Sequence, residues 1–125
     1  PFDAVVADLS FISLRVVVAV LVGCAAPGAP LVLLVKPQFE AGRQEVSRGR
    51  GEITDPTVWR RVLDEVTAAT VAAGAEVEAL APSPLRGADG NVEFLLLARR
   101  TSSPAAGTSH GIAELIDASL AEVAG

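Results

Sequence analysis

Short apolar runs separated by turn-forming residues mark the first part of the chain and predict buried strands. One run covers residues 2–7 and ends before Asp8. A second, residues 31–35, is the most apolar stretch of the chain and lies between Pro30 and the pair Lys36 and Pro37. Runs of this length, rich in Val and Leu, are typical of strands buried on both faces of a parallel sheet. We therefore expect two such strands.

Residues 14–22 lie between these runs and fit either a strand or a helix. Three consecutive Val residues favour a strand, whereas Ser13 is a typical N-cap and Gly23 a typical helix end. Parallel strands require a crossover connection between them, and this crossover is usually helical. We therefore predict a helix that ends at Gly23.

The stretch 16–35 carries no charge, and its length alone would suit a membrane span and a membrane-lytic protein. Pro27, Gly28 and Pro30 interrupt it, however, and residues of this kind break both helices and central strands. Two buried elements joined by a turn are the better interpretation.

Helical periodicity is clearest in the second half of the chain. Asp55 and Pro56 suit the N-cap and first position of a helix, apolar residues follow at three- and four-residue spacing, and Gly74 suits its end. The pattern predicts two further strands, at residues 76–80 and 92–98. Because only a short turn joins them, we expect them to be antiparallel neighbours. A linker at 101–109 and an amphipathic helix from Ile112 to Val123 follow, whereas residues 38–53 lack periodicity and predict a long surface loop.

The predicted order is strand, helix, strand, helix, strand, strand, helix, which indicates an α/β fold with a parallel sheet and one antiparallel strand, the last. Ligands of such sheets bind at the carboxyl ends of the strands. Asp8 and Lys36 follow the first two strands, and Glu93 lies near the start of the antiparallel strand. We expect these three ionisable groups to converge at one edge of the sheet.

Composition narrows the class of protein. The 125 residues, 50% of them hydrophobic, suit one globular domain, and the formal charge of −5 restricts any nucleic-acid contact to a local patch. Residues 36–51 supply such a patch, with four positive and two negative charges, a net +2. One Cys and one His exclude a disulfide framework and a Cys/His metal cluster, and they fit a reduced, cytoplasmic setting. The absence of Met, with Pro at position 1, leads us to expect a longer polypeptide.

Four motifs follow one another along the chain: Asp8-Leu9-Ser10-Phe11-Ile12-Ser13-Leu14, Leu33-Leu34-Val35-Lys36-Pro37-Gln38-Phe39-Glu40, Ser83-Pro84-Leu85-Arg86-Gly87 and Gly90-Asn91-Val92-Glu93-Phe94-Leu95. Together they resemble the motifs of the TlyA family, which comprises ribosomal RNA ribose 2'-O-methyltransferases with an FtsJ-like catalytic domain, often labelled hemolysins. The resemblance covers residues 1–100 and implies the C-terminal half of a Rossmann-like methyltransferase domain. Residues 101–125 would be a linker and a C-terminal helix. In the predicted loop at residues 38–53, Arg50-Gly51-Glu52 departs from the glycine-rich sequence that the family resemblance leads us to expect there.

The resemblance also implies a site. The family uses S-adenosylmethionine and a Lys, Asp, Lys, Glu catalytic set, of which Asp8, Lys36 and Glu93 match the last three members. The first Lys and the glycine-rich cofactor loop have no match in this chain. Asp8 and Ser10 would contact the cofactor, and no metal is required. In this interpretation the 125 residues alone are expected to be inactive.

The expected partner is ribosomal RNA or a ribosomal subunit, with Arg43, Arg48 and Arg50 as contacts to the RNA backbone. An apolar flank along the first strand would allow the chain to self-associate. The alternative functions left open are a non-catalytic module that binds RNA or protein, and a hemolysin.

Overall fold

The structure is a computed structural model that describes residues 1–102 and 111–124, apart from the side chains of Arg43 and Ala88. The strands are β1 (Val5–Ala7), β2 (Pro30–Val35), β3 (Ala75–Pro82) and β4 (Phe94–Arg100). The helices are α1 (Leu14–Cys24), α2 (Pro37–Glu40), α3 (Arg43–Arg48), α4 (Pro56–Ala72) and α5 (Ile112–Ala124). The predicted order of elements is confirmed, with two additional short helices, α2 and α3. Most of the predicted linker, residues 103–109, lies outside the described residues.

The four strands form one sheet in the order β1-β2-β4-β3. β1 and β2 are parallel, whereas β4 runs antiparallel to both of its neighbours, β2 and β3. The α/β fold with one antiparallel strand is therefore confirmed. Because β4 lies between β2 and β3, its first residues come next to the end of β2, where Val35 pairs with Phe94.

The core occupies one face of the sheet. Leu31, Leu33 and Val35 of β2 are fully buried, as are Phe94 and Leu96 of β4. The ring of Trp59 in α4 packs against that of Phe94 at a centroid distance of 6.4 Å, so α4 covers this face. α1 and α5 in turn pack against α4.

The prediction that the first strand is buried on both faces is wrong. β1 is an edge strand, and the side chain of Val6 is 77% exposed. Burial on both faces requires a covering layer on each side, and the described helices pack on the face to which Ala7 and Leu33 belong. The expected apolar flank is present, since Phe2 and Phe11 are also exposed.

Helix α1 begins where its sequence indicates, but it ends later. The Ser13 hydroxyl accepts a hydrogen bond from the Arg15 amide at 3.1 Å, so the predicted N-cap is confirmed. Gly23 was expected to terminate a helix over residues 14–22, but it remains helical and the helix ends at Cys24, two residues later than expected. The described residues contain no helix long and apolar enough to cross a membrane.

Residues 38–53 are not the continuous loop that the sequence predicts. Pro37 occupies the first position of α2, where a missing N–H costs no helical hydrogen bond. The Glu45 carboxylate accepts a hydrogen bond from the Gly42 amide at 3.1 Å and so caps α3. Helices of this length are too short to show hydrophobic periodicity, which explains why the pattern missed them.

The later elements match their predictions closely. Asp55 caps α4 through the Thr57 amide, and Gly74 follows the helix with a φ of +99°. β4 begins at Phe94 and not at residue 92, so Glu93 precedes the strand. α5 packs on β3 and α4, and its Ile116 is fully buried.

Candidate active site

The carboxyl ends of β1 and β2 and the first residues before β4 meet at one edge of the sheet. The parallel register pairs Ala7 with Leu33, and the antiparallel register pairs Val35 with Phe94. Lys36 directly follows Val35, and Glu93 directly precedes Phe94. The backbone therefore brings these two residues side by side, with Asp8 following the adjacent strand.

Lys36 and Asp8 form an ion pair at this edge, with 2.6 Å between Nζ and Oδ1. The lysine side chain is 12% exposed and the aspartate side chain 63% exposed. Lys36 also donates to the Ser10 hydroxyl at 3.3 Å, and its Nζ lies 6.0 Å from the centre of the Phe39 ring. The ammonium is thus held beside an exposed carboxylate that a ligand can reach.

Glu93 lies deeper than the other two residues and is only 6% exposed. Its Oε2 accepts a hydrogen bond from Nε2 of Gln38 at 2.8 Å. Among the described residues Glu93 forms no ion pair with Lys36. The expected convergence is therefore direct for Asp8 and Lys36, whereas Glu93 adjoins them through the backbone and contacts Gln38 with its side chain.

Glu40 connects α2 to the start of α1, a contact that the sequence analysis missed. Its buried carboxylate accepts hydrogen bonds from the Ser13 hydroxyl at 2.5 Å, the Leu14 amide at 2.6 Å and the Arg15 guanidinium at 3.3 Å. The first amides of a helix lack partners within the helix, so an external acceptor at Leu14 is favourable. The sequence signal was a Glu within one of the four motifs, but nothing indicated its partner. Glu40 fixes the segment after Lys36 to the segment after Asp8.

Phe11 occupies an unusual backbone position near the ion pair. Its φ is +64°, in the left-handed region that residues with a side chain seldom adopt. The ring is 88% exposed and contacts Phe39 at a centroid distance of 5.0 Å. Strained backbone of this kind tends to occur at functional sites. The exposed Phe11 ring lies beside Phe39, whose ring centre is 6.0 Å from Lys36 Nζ, and an exposed aromatic ring in this place suits contact with a ligand.

The basic residues of the 38–53 segment lie on α3 and just after it. Arg48 and Arg50 are exposed, and Arg48 donates from Nε to the Gln44 carbonyl at 3.4 Å. The side chain of Arg43 lies outside the described part of the structure. These positions can meet a polyanion, although no contact in the structure assigns them that role.

Glu45, an acidic residue of α3, is paired with Arg61 of α4. A hydrogen bond from the Arg61 guanidinium holds the pKa of Glu45 below its usual value, and the Gly42 amide adds to the effect. The same pairing raises the pKa of Arg61.

Within residues 1–102 and 111–124, no group of His, Cys, Asp and Glu side chains is arranged to hold a metal ion.

Asn91 joins the loop before β4 to the segment after α3. Its buried side chain accepts from the Ile53 amide at 2.8 Å and donates to the Gly51 carbonyl at 2.7 Å. This bridge holds the two loops together at the same edge as Glu93.

A sheet in which an antiparallel strand lies next to parallel strands, with polar groups at the carboxyl ends of those strands, defines an α/β domain whose candidate ligand edge lies at Asp8 and Lys36. A model of the FtsJ-like methyltransferase family matches residues 1–100. The chain belongs to this family, whose methyltransferases use S-adenosylmethionine.

Two curated relatives support the resemblance to the TlyA family. YqxC of Bacillus subtilis, whose name describes an rRNA methyltransferase, is 46% identical over 89 residues, which cover 71% of this chain and 31% of YqxC. The 16S/23S rRNA (cytidine-2'-O)-methyltransferase TlyA of Mycobacterium tuberculosis is 41% identical over 120 residues, which cover 96% of this chain and 44% of TlyA. The chain therefore spans less than half the length of these relatives.

Solved structures confirm the fold. A protein from Lactococcus lactis described as a hemolysin superposes with a TM-score of 0.84 at 31% identity, covering 98% of this chain and 56% of that one. A second, from Streptococcus thermophilus, superposes with a TM-score of 0.78 at 36% identity, covering 97% of this chain and 42% of that one.

Proposed function

We propose that this chain supplies Asp8, Lys36 and Glu93 to a ribosomal RNA ribose 2'-O-methyltransferase that acts in the cytoplasm. The observation that carries the proposal is the 2.6 Å ion pair between Lys36 and Asp8 at the ligand edge of an FtsJ-like domain. The names of YqxC and TlyA, which both refer to rRNA methylation, support ribosomal RNA as the substrate.

The residues at this edge fit one side of an S-adenosylmethionine site. When bound, the cofactor supplies a methyl group activated by a positively charged sulfonium. The exposed Asp8 carboxylate suits a cation, and the Ser10 hydroxyl beside it offers a further polar contact. Residues 8–13, which follow β1, contain no Gly, so the chain offers no glycine-rich loop there. Asp8 and Ser10 are accordingly the proposed cofactor contacts, and the rest of the site must come from other residues.

The proposed chemistry assigns each side chain a separate task. A ribose hydroxyl is a weak nucleophile that must lose its proton as the oxygen attacks the methyl group. Lys36, held between Asp8 and Ser10, would bind the hydroxyl oxygen and keep it in line for attack, and the hydroxyl proton would pass to the exposed Asp8 carboxylate or to solvent. Asp8 fixes that ammonium. Glu93, which contacts Gln38 and not Lys36, is assigned to orient the ribose.

Arg43, Arg48 and Arg50 are the proposed contacts to the RNA backbone. They lie in the segment of net charge +2, against −5 for the whole chain, and guanidinium groups suit phosphate oxygens. Such contacts position an RNA without reading its sequence, so they do not by themselves select the nucleotide.

Methyl transfer from labelled S-adenosylmethionine to ribosomal RNA tests the proposal in the full-length protein. We expect Lys36→Ala to lower the rate by about a hundredfold or more, the range for a group that moves or steers a proton. Arg99→Ala is the matched control, because it removes a positive charge from a residue paired with Pro30, at the opposite end of β4. Activity of Lys36→Ala within about threefold of wild type would refute the proposed role of the lysine.

A second measurement addresses the cofactor directly. Calorimetric titration of the 125-residue chain with S-adenosylmethionine should show no binding at micromolar concentrations, because only one side of the site is present. Tight binding by this chain would show that the proposed division of the cofactor site is wrong.

A further inference from the structure

Gln38 is a buried polar residue to which the proposed reaction assigns no task. It is 8% exposed, and its Nε2 donates to Glu93 Oε2 at 2.8 Å. The reverse orientation of the amide would bring its oxygen against the carboxylate oxygen, so the carboxylate determines which end of the amide faces it. The contact is therefore a directed, charge-assisted hydrogen bond.

Only one end of this amide has a partner among the described residues. Its other end, Oε1, is buried and accepts no hydrogen bond from them. A buried acceptor without a partner is unfavourable, and an apolar side chain of similar length would avoid that cost but would leave the buried Glu93 carboxylate without the donor from Gln38. The amide is useful at this position for what its nitrogen holds, which is the Glu93 carboxylate.

Gly87 bounds the same carboxylate from another side. A Cβ at this position would lie 1.9 Å from Glu93 Oε2 and 2.5 Å from the carboxyl carbon. The loop itself is held, since the Gly87 amide donates to the Asn91 carbonyl at 2.8 Å. Any larger residue at position 87 would have to move the Glu93 carboxylate, because that carboxylate is what the added atom would meet.

We propose that Gln38 and Gly87 are positioning residues for Glu93: the amide binds its carboxylate and the glycine leaves the space that the carboxylate occupies. This inference rests on the proposed function, in which Glu93 orients the ribose. Gln38 and Gly87 both act on the Glu93 carboxylate, so the effects of substituting them must depend on the presence of that carboxylate.

Kinetics of methyl transfer by the full-length protein test whether the effects of substituting Gln38 and Gly87 depend on Glu93. Gln38→Met keeps the length of the side chain but removes the donor, and Gly87→Ala keeps the donor but fills the space. Each should lower kcat about tenfold or more while KM for the cofactor and for RNA stays within about twofold. The matched controls are Gln44→Met, on an exposed side chain, and Gly23→Ala, where an added Cβ meets nothing within 4 Å.

The decisive comparison uses a Glu93→Ala background. There Gln38→Met and Gly87→Ala should each change kcat by less than about twofold, because the group they position is gone. A folding effect unrelated to Glu93 would persist in that background. Circular dichroism of the single variants at the assay temperature identifies a folding effect that acts through Glu93, so the loss of kcat is taken per folded protein. The inference is overturned if either variant loses as much activity there as in the wild-type background, or if both single variants match wild type. An inactive wild-type protein would instead contradict the proposed function.

Hydrogen exchange provides a readout that does not require activity. The chain has three side-chain amides, those of Gln38, Gln44 and Asn91, so their NMR signals can be assigned by substitution. We expect the Gln38 amide protons to exchange at least tenfold more slowly than those of Gln44, and Glu93→Ala and Gly87→Ala to abolish that difference. Equal exchange in wild type, or protection that survives both substitutions, overturns the inference.

Discussion

Removal of the Glu40 carboxylate should destabilise the chain far more than removal of an ordinary surface charge. Glu40 is 8% exposed and accepts from the Ser13 hydroxyl, the Leu14 amide and the Arg15 guanidinium. In Glu40→Ala, the buried Leu14 amide loses its acceptor and the Arg15 guanidinium loses a buried partner.

The magnitude follows from these contacts. A buried donor left without an acceptor costs about 1–3 kcal/mol. Breaking a fully buried ion pair costs about 3–5 kcal/mol, but the Arg15 side chain is 40% exposed and solvent compensates for part of that loss. We expect Glu40→Ala to lower the free energy of unfolding by about 3 kcal/mol in all. Glu40→Gln can still accept from the Leu14 amide and should cost about half as much.

Urea unfolding followed by circular dichroism measures these differences at constant m-value. Glu122→Ala, on an exposed position of α5, is the control and should remain within about 0.5 kcal/mol of wild type. A Glu40→Ala variant within about 1 kcal/mol of wild type would refute the view that this carboxylate holds α2 to α1.

Three further predictions concern charge and the sheet edge. Arg61 lowers the pKa of Glu45 below 4.5, so the pair stabilises the fold above that pH, and this stabilisation is lost as pH falls through the lower pKa that Glu45 has in the folded state. Arg61→Gln should therefore make the loss of stability between about pH 5 and 2 less steep. An unchanged dependence of stability on pH would contradict this prediction. If Arg48 and Arg50 contact RNA phosphates, Arg48→Gln and Arg50→Gln should each reduce the slope of log affinity against log salt concentration by about 0.7. Filter binding measures this slope, and slopes equal to that of the wild type would exclude these two residues as phosphate contacts. Val6→Lys places a charge on the exposed edge strand β1 and should reduce self-association of the chain, measured by analytical ultracentrifugation. If the unsubstituted chain is already monomeric, the prediction that this edge drives self-association is wrong.

The elements that the sequence predicted well are those whose signals are local. Asp55 and Pro56 begin α4, Gly74 follows it, and the apolar run of β2 lies between two prolines, so neighbouring residues determine these boundaries. The elements that it missed, α2 and α3, span four and six residues and are held by contacts to distant segments such as that of Glu40 with α1. A pattern along the chain cannot show a partner that is 26 residues away.

For the candidate site, the sequence alone indicates which ionisable groups stand at strand ends, because Asp8 and Lys36 directly follow apolar runs. Parallel pairing then places them at one edge, as the structure has them. The contacts between side-chain atoms emerge only in the folded chain, where Glu93 binds the Gln38 amide and not Lys36, and Glu40 caps α1. This difference arises because the ends of apolar runs follow from short-range patterns, whereas strand order, register and the direction of a side chain depend on the partners, the space and the donors that packing brings from elsewhere in the chain.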